Sequence, residues 1–240
     1  MSRRFPEAFL TSSRLALSVN RSQSDSPRVP PQTLSHRPAA GPVAVFTPEG
    51  YEPNYAYPLI VWFHDAGESE QMLRRVMPVM SDRNALGLAL RGERLRRNGF
   101  DWAAGLTEPR ERSLEAAVRE FKREFNIHTE RVVLAGRGTG AVAASELFFA
   151  RPDWYGGLAM FDAPAEAIAV DLTRREELVG KPVLLDLPLE QLGRGREGAA
   201  RLVASGADVT FRRARCGALR HDTLRHLNRW LMSAVCGVPV

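Results

Sequence analysis

From residue 42 onward, apolar segments of strand length alternate with amphipathic helical segments, and this alternation most constrains the fold. Several of the apolar segments are continuous, as in parallel strands that are covered on both faces. A chain that repeats strand and helix in this way folds into an α/β, doubly wound, mostly parallel sheet. The predicted strands are 43–47, 59–64, 85–91, 131–135, 157–161, 182–187 and 208–212.

The predicted helices carry apolar stripes whose members stand three or four residues apart. One helix precedes the strand at 131–135, and the last helix follows Asp222 or Thr223 as its N-cap. In a doubly wound sheet, functional residues lie on loops at the carboxyl ends of strands. The stripe residues are Leu114, Ala117, Val118, Phe121 and Phe125 in the first helix, and Leu224, Leu227, Leu231 and Val235 in the second.

Residues 1–41 lack this pattern and are predicted to form a disordered basic tail, with one folded domain at 42–240. Residues 1–40 hold six arginines against two acidic residues, together with eight serines and five prolines. The rest of the chain holds 27 basic and 26 acidic groups, so its charge is nearly balanced. The net charge of +5 therefore does not indicate a nucleic-acid partner.

The apolar segments and the cysteines indicate where in the cell the protein is expected. No apolar segment approaches the roughly 20 residues that a membrane-spanning helix needs, so no transmembrane segment is predicted. Two cysteines, Cys216 and Cys236, do not make a disulfide framework, and a reducing, cytoplasmic location is the expectation. A monomer and a homodimer both remain open.

Three loops that follow predicted strands have the character of a chemical site. They are His64 to Gly67, the glycine-rich segment from Gly136 to Gly140, and 216–219 before the last helix. With its loops in this order, the chain resembles proteins of the α/β-hydrolase fold. Within that fold it resembles the phospholipase/carboxylesterase branch, which includes the acyl-protein thioesterase-like enzymes. The resemblance covers about 42–235. Its residues are YPLIVWFH at 57–64, FDW at 100–102, RVVLAG at 131–136 and LNRWL at 227–231.

This resemblance implies a catalytic triad that the chain does not carry. Where such enzymes have the nucleophile elbow G-x-S-x-G, this chain has Gly138 in the serine position. Counted back from Trp230, the position of the catalytic histidine falls on Gly217. The acid position points to Glu190 or Gln191. We therefore predict a carboxylesterase-like protein that lacks serine-hydrolase activity.

The loop after the first central strand departs from the resemblance as well, because a histidine–glycine turn is replaced by His64-Asp65. A carboxylate about 4 Å from a forming oxyanion costs roughly 4 kcal/mol at an effective dielectric constant of 20. That is about a thousandfold in rate. The penalty applies if Asp65 points into the cleft.

Two other functions remain open at this level. The first is an ester or thioester hydrolase that uses displaced residues, namely Thr139, Cys216 and His221. The second is a nucleotide-binding protein, because Gly136, Gly138 and Ala141 fit G-x-G-x-x-G/A between a strand and a helix. Asp162, at the end of the next predicted strand, stands where a ribose-binding acid belongs.

The cleft itself is predicted to bind a small ester-like or anionic ligand. Glycine-rich turns at helix N-termini bind anions through free backbone N–H groups. The candidates for an anion site are Gly136, Arg137 and Gly140, and those for the oxyanion or ligand cleft are Ala66, Gly67 and Thr139. No metal-ligand motif is present in the sequence, and no cofactor is predicted.

Overall fold

The computed structural model describes residues 35–36, 41–81, 83–168, 175–213 and 219–238. Strands and helices alternate along it as predicted. The strands are β1 (Ser35–His36), β2 (Val43–Phe46), β3 (Tyr57–Phe63), β4 (Leu86–Leu90), β5 (Arg94–Arg96), β6 (Gly99–Asp101), β7 (Ile127–Arg137), β8 (Gly157–Phe161), β9 (Pro182–Leu187) and β10 (Asp208–Arg213). The α-helices are α1 (Leu73–Met80), α2 (Thr107–Glu124), α3 (Thr139–Ala150), α4 (Arg175–Leu178), α5 (Leu192–Ala204) and α6 (His221–Trp230).

Eight of the strands form one sheet in the order β1-β2-β4-β3-β7-β8-β9-β10. Strand β2 is antiparallel to both β1 and β4, and every pair from β4 to β10 is parallel. The predicted doubly wound, mostly parallel sheet is therefore confirmed. Strands β5 and β6 pair separately as an antiparallel hairpin. The sequence pattern did not predict this hairpin or β1.

The sheet is covered by helices on both faces, which is why its central strands are continuous apolar runs. One core layer contains apolar side chains of α2, α3 and α5, and the other contains those of α1 and α6. All seven residues of β3 are buried. No helix in the described ranges is long and apolar enough to cross a bilayer.

The start of the last helix differs from the prediction, and most of the predicted tail lies outside the described residues. Helix α6 begins at His221 with Arg220 as its N-cap, so the predicted caps Asp222 and Thr223 were wrong by two or three residues. Asp222 lies inside the first turn, where its carboxylate accepts a hydrogen bond from the next backbone N–H. Of the predicted tail, only Ser35, His36 and residue 41 are described, and the first two pair with β2.

Candidate functional site

The turn between β7 and α3 has the geometry of a nucleophile elbow. Gly138 caps α3 with φ 53° and ψ −121°, a conformation that strains any residue with a side chain. Its N–H donates to the carbonyl of Phe161, at the end of the neighbouring strand β8, at 3.0 Å. A Cβ on Gly140 would collide with the carbonyls of Phe63 and His64, so helix and strand can approach only with glycine there.

The carboxylate of Asp65 lies at this elbow. Its Oδ1 accepts hydrogen bonds from the backbone N–H of Thr139, at 3.1 Å, and from that of Ala66, at 2.8 Å. At an elbow of this kind, the N–H after the nucleophile and an N–H of the loop after β3 are the pair that stabilises a reaction oxyanion. Here this pair already binds a negative charge that belongs to the chain.

Asp65 also occupies the space of the missing nucleophile. A Cβ placed on Gly138 would overlap the Asp65 carboxylate. The side chain therefore points inward, which is the orientation on which the electrostatic penalty depends. With Gly138 lacking a side chain and Asp65 filling its place, no hydroxyl is available at the apex of the turn.

Further charged groups hold the loop of Asp65 against the elbow. Glu68 accepts a hydrogen bond from the Asp65 N–H at 3.0 Å and forms an ion pair with Arg137 at 3.5 Å. Arg137 also donates from Nε to Asp162 at 3.0 Å. Asp162 has a φ of 48°, a strained backbone in a non-glycine residue. Arg137, which the sequence predicted as part of an anion site, is therefore paired with two carboxylates of the same chain.

Thr139 carries the hydroxyl next in sequence to the apex, and this hydroxyl faces a carboxylate rather than an imidazole. Its Oγ1 donates to Asp101 at 2.9 Å, and Asp101 also accepts from Arg96 and from the Trp102 N–H. Burial works to raise the pKa of Asp101, but these hydrogen bonds outweigh it and hold the pKa below its usual range. A carboxylate stabilised in this way is a poor base for activating a threonine.

His64 is fully buried and both of its ring nitrogens are used. Nδ1–H donates to the carbonyl of Asp65 at 2.8 Å, and Nε2 accepts from the N–H of Gly92 at 3.1 Å. Burial lowers the pKa of His64 below its usual value, so the imidazole is neutral. Its carbonyl accepts from Trp102 Nε1 at 2.7 Å. His64 therefore shapes the loop and is not a base for the elbow.

The other predicted site residues are dispersed or lie outside the described residues. The N–H of Gly67 donates to the Phe100 carbonyl at 2.9 Å and so points away from the Asp65 carboxylate. Glu190 is exposed in the short turn after β9, and His221 is exposed at the start of α6. Cys216 and Gly217 lie outside the described residues. Within the described ranges, no three His, Cys, Asp or Glu side chains gather as metal ligands would.

Asp186, near the end of β9, is a buried acid that the sequence pattern did not predict for the site. Its side chain is 1% exposed, and neither carboxyl oxygen has a well-formed hydrogen bond within the described part of the chain. Burial raises the pKa of Asp186 to about 6, while Arg212, at 3.7 Å, and the nearby Thr223 side chain oppose the rise. One signal was available: this acid interrupts the otherwise apolar strand 182–187.

The strand order, the elbow and the pair of converging N–H groups define the α/β-hydrolase fold. Comparison with solved structures agrees. A carboxylesterase from Bacillus cereus is similar with a TM-score of 0.63 and 18% identity, covering 80% of this chain and 93% of the other. A carboxylesterase from Mesorhizobium loti is similar with a TM-score of 0.66 and 17% identity, covering 84% and 98%.

A third similar structure is TT1662 from Thermus thermophilus, with a TM-score of 0.65, 17% identity, and coverage of 86% of this chain and 99% of the other. No protein-family model and no curated protein matches the sequence. The likeness to carboxylesterases therefore extends over the fold.

Proposed function

We propose that this protein is a non-catalytic, or strongly impaired, relative of carboxylesterases that lacks serine-hydrolase activity. The observation that carries the proposal is the position of Asp65, whose carboxylate accepts hydrogen bonds from the elbow N–H of Thr139 and from the N–H of Ala66 in the loop after β3. Gly138 supports it, because glycine supplies no nucleophilic hydroxyl at the apex. The cleft or the surface of the fold would then serve binding rather than turnover.

Electrostatics adds to this argument. Ester hydrolysis develops a negative charge on the substrate oxygen, and preorganised N–H donors stabilise that charge. In this cleft the donors are already bonded to Asp65, so a forming oxyanion meets repulsion instead of stabilisation. At about 4 Å and an effective dielectric constant of 20 the repulsion is about 4 kcal/mol.

The test is treatment of the native protein with a fluorophosphonate probe. We expect no labelling of the cleft, because the probe needs an activated oxygen nucleophile and Gly138 supplies none. Intact-mass spectrometry measures the result, with a carboxylesterase that carries a serine elbow as the positive control. Stoichiometric labelling of a cleft residue would overturn the proposal, and Thr139→Ala would then show whether that hydroxyl is the nucleophile.

The two competing functions are weakened by the same contacts. A displaced nucleophile at Thr139 would face Asp101 rather than an imidazole. A nucleotide phosphate at the elbow would compete with Asp65 for the Thr139 N–H, and Asp162 is paired with Arg137 instead of standing free for a ribose. Of the other two displaced candidates, His221 is exposed at the start of α6 and Cys216 lies outside the described residues.

The same geometry makes a prediction about anions. In the native protein we expect acetate to leave the backbone amides of Ala66 and Thr139 unperturbed, because Asp65 occupies them. In Asp65→Ala, acetate should bind in the millimolar range, since two charge-assisted hydrogen bonds become available at the start of α3. Amide chemical shifts in an NMR titration measure both affinities.

Asp65→Asn is the matched control for this titration, because its amide keeps the volume of the carboxylate and should still exclude acetate. Equal acetate affinity for native protein and Asp65→Ala would show that Asp65 does not fill the elbow in solution.

A further inference from the structure

The exposed side of α6 carries a basic groove that shares no residue with the Asp65 cleft. We define the α6 groove by the described residues that line it, and its volume is about 700 Å³. Cavities of this volume are typical of small-molecule sites. The lining residues are Arg220, His221, Asp222, Arg225 and Arg229.

Positive side chains outnumber negative ones in the α6 groove. Its one carboxylate, Asp222, is already paired, with Arg220 at 3.7 Å and with Arg212 of β10 at 3.3 Å. The guanidinium groups of Arg225 and Arg229 make no ion pair or hydrogen bond with another described residue. Both side chains are exposed, so two cations face the groove without a counter-charge from the described part of the chain.

The spacing of the polar side chains along α6 suits more than one anionic group. His221, Arg225 and Arg229 follow one another at intervals of four residues, which places them on one side of the helix about 6 Å apart along its axis. Guanidinium groups bind carboxylates and phosphates through paired N–H donors. The start of the helix, beside Arg220, adds a favourable field for negative charge.

We propose that the α6 groove binds a small molecule with at least two anionic groups, of the phosphate or polycarboxylate type. The volume favours a compact ligand that several arginines can contact together. The tail at 1–40 is not a suitable occupant, because it holds six arginines against two acidic residues and would be repelled. The proposal is independent of whether the Asp65 cleft is catalytic.

The experiment is calorimetric titration of the full-length protein with inorganic tripolyphosphate and, separately, with citrate. We expect submillimolar affinity for at least one probe at 0.15 M salt, where screening suppresses charge interactions beyond about 8 Å. The double variant Arg225→Gln/Arg229→Gln should bind about a hundredfold more weakly, since each charged hydrogen-bonding group contributes about tenfold or more. Preference for one probe identifies the phosphate or the carboxylate class.

The matched control is Arg194→Gln/Arg201→Gln on α5, which removes two exposed arginines and the same charge from another helix. Its affinity should stay within about twofold of the native protein, because non-specific attraction between separated surface charges is screened. All four substituted residues are exposed, so circular dichroism should show that both variants fold. Absence of binding below 5 mM for both probes, or equal weakening by the two double variants, overturns the proposal.

Discussion

We expect Asp65→Gly to raise the hydrolysis of p-nitrophenyl acetate by about a thousandfold in a Gly138→Ser/Gly217→His background. The background restores the serine and histidine positions that the sequence resemblance identifies. Without the third change, the carboxylate of Asp65 overlaps the introduced Cβ at 138 and binds the N–H groups of Ala66 and Thr139. Removing one oxyanion donor from an enzyme typically costs 10²–10³ in rate, and here two are blocked.

Initial rates with and without Asp65→Gly, at equal concentrations of folded protein, measure the effect. Asp65→Asn in the same background separates charge from volume, because the amide removes the repulsion but still fills the space beside residue 138. We expect it to recover much less activity than glycine. A gain below tenfold for Asp65→Gly, in a background with an unchanged melting temperature, would show that Asp65 is not what blocks the oxyanion site.

The second large effect is on stability. We expect Asp186→Asn to stabilise the protein by about 3 kcal/mol at pH 7, because the buried carboxyl has its pKa raised from 3.8 to about 6. A raised acid pKa means that the folded state holds its proton more tightly than the unfolded state. Stability from this group is therefore present at low pH and is lost as pH rises from about 4 to about 6.

Urea unfolding at pH 7 and pH 4 tests the sign. The gain from Asp186→Asn should be largest at pH 7 and small at pH 4, where the folded state of the native protein is already protonated at this position. Asp208→Asn, at an exposed acid that begins β10, is the control and should change stability by less than about 0.5 kcal/mol. Destabilisation by Asp186→Asn at pH 7 would instead mean that the ion pair with Arg212 outweighs the cost of burial.

The sheet could be predicted from sequence because its strands are buried on both faces. Continuous apolar runs such as β3 and β8 leave few other folds, and the glycines around Gly138 mark a turn that few residues can adopt. The hairpin of β5 and β6 gave no such signal, because the residues of β5 are exposed and polar apart from Leu95. An exposed strand need not alternate, so its pattern is weak.

Glycine in the nucleophile position is a property of the amino-acid sequence alone. The residues that fill the cleft are not a property of the sequence alone. Asp65 and Thr139 stand 74 residues apart and meet only when β3 and β7 pair. The pairing of β7 with β8 places Arg137 beside Asp162, and the position of β9 between β8 and β10 buries Asp186 without a well-formed hydrogen bond. The local sequence pattern predicts which face of a strand is buried. Which charged side chains meet across strands depends on the assembled sheet. That is why the missing serine and the presence of Asp65 in the loop after β3 could be predicted from the sequence, while the contact of its carboxylate with the N–H groups of Ala66 and Thr139 could not.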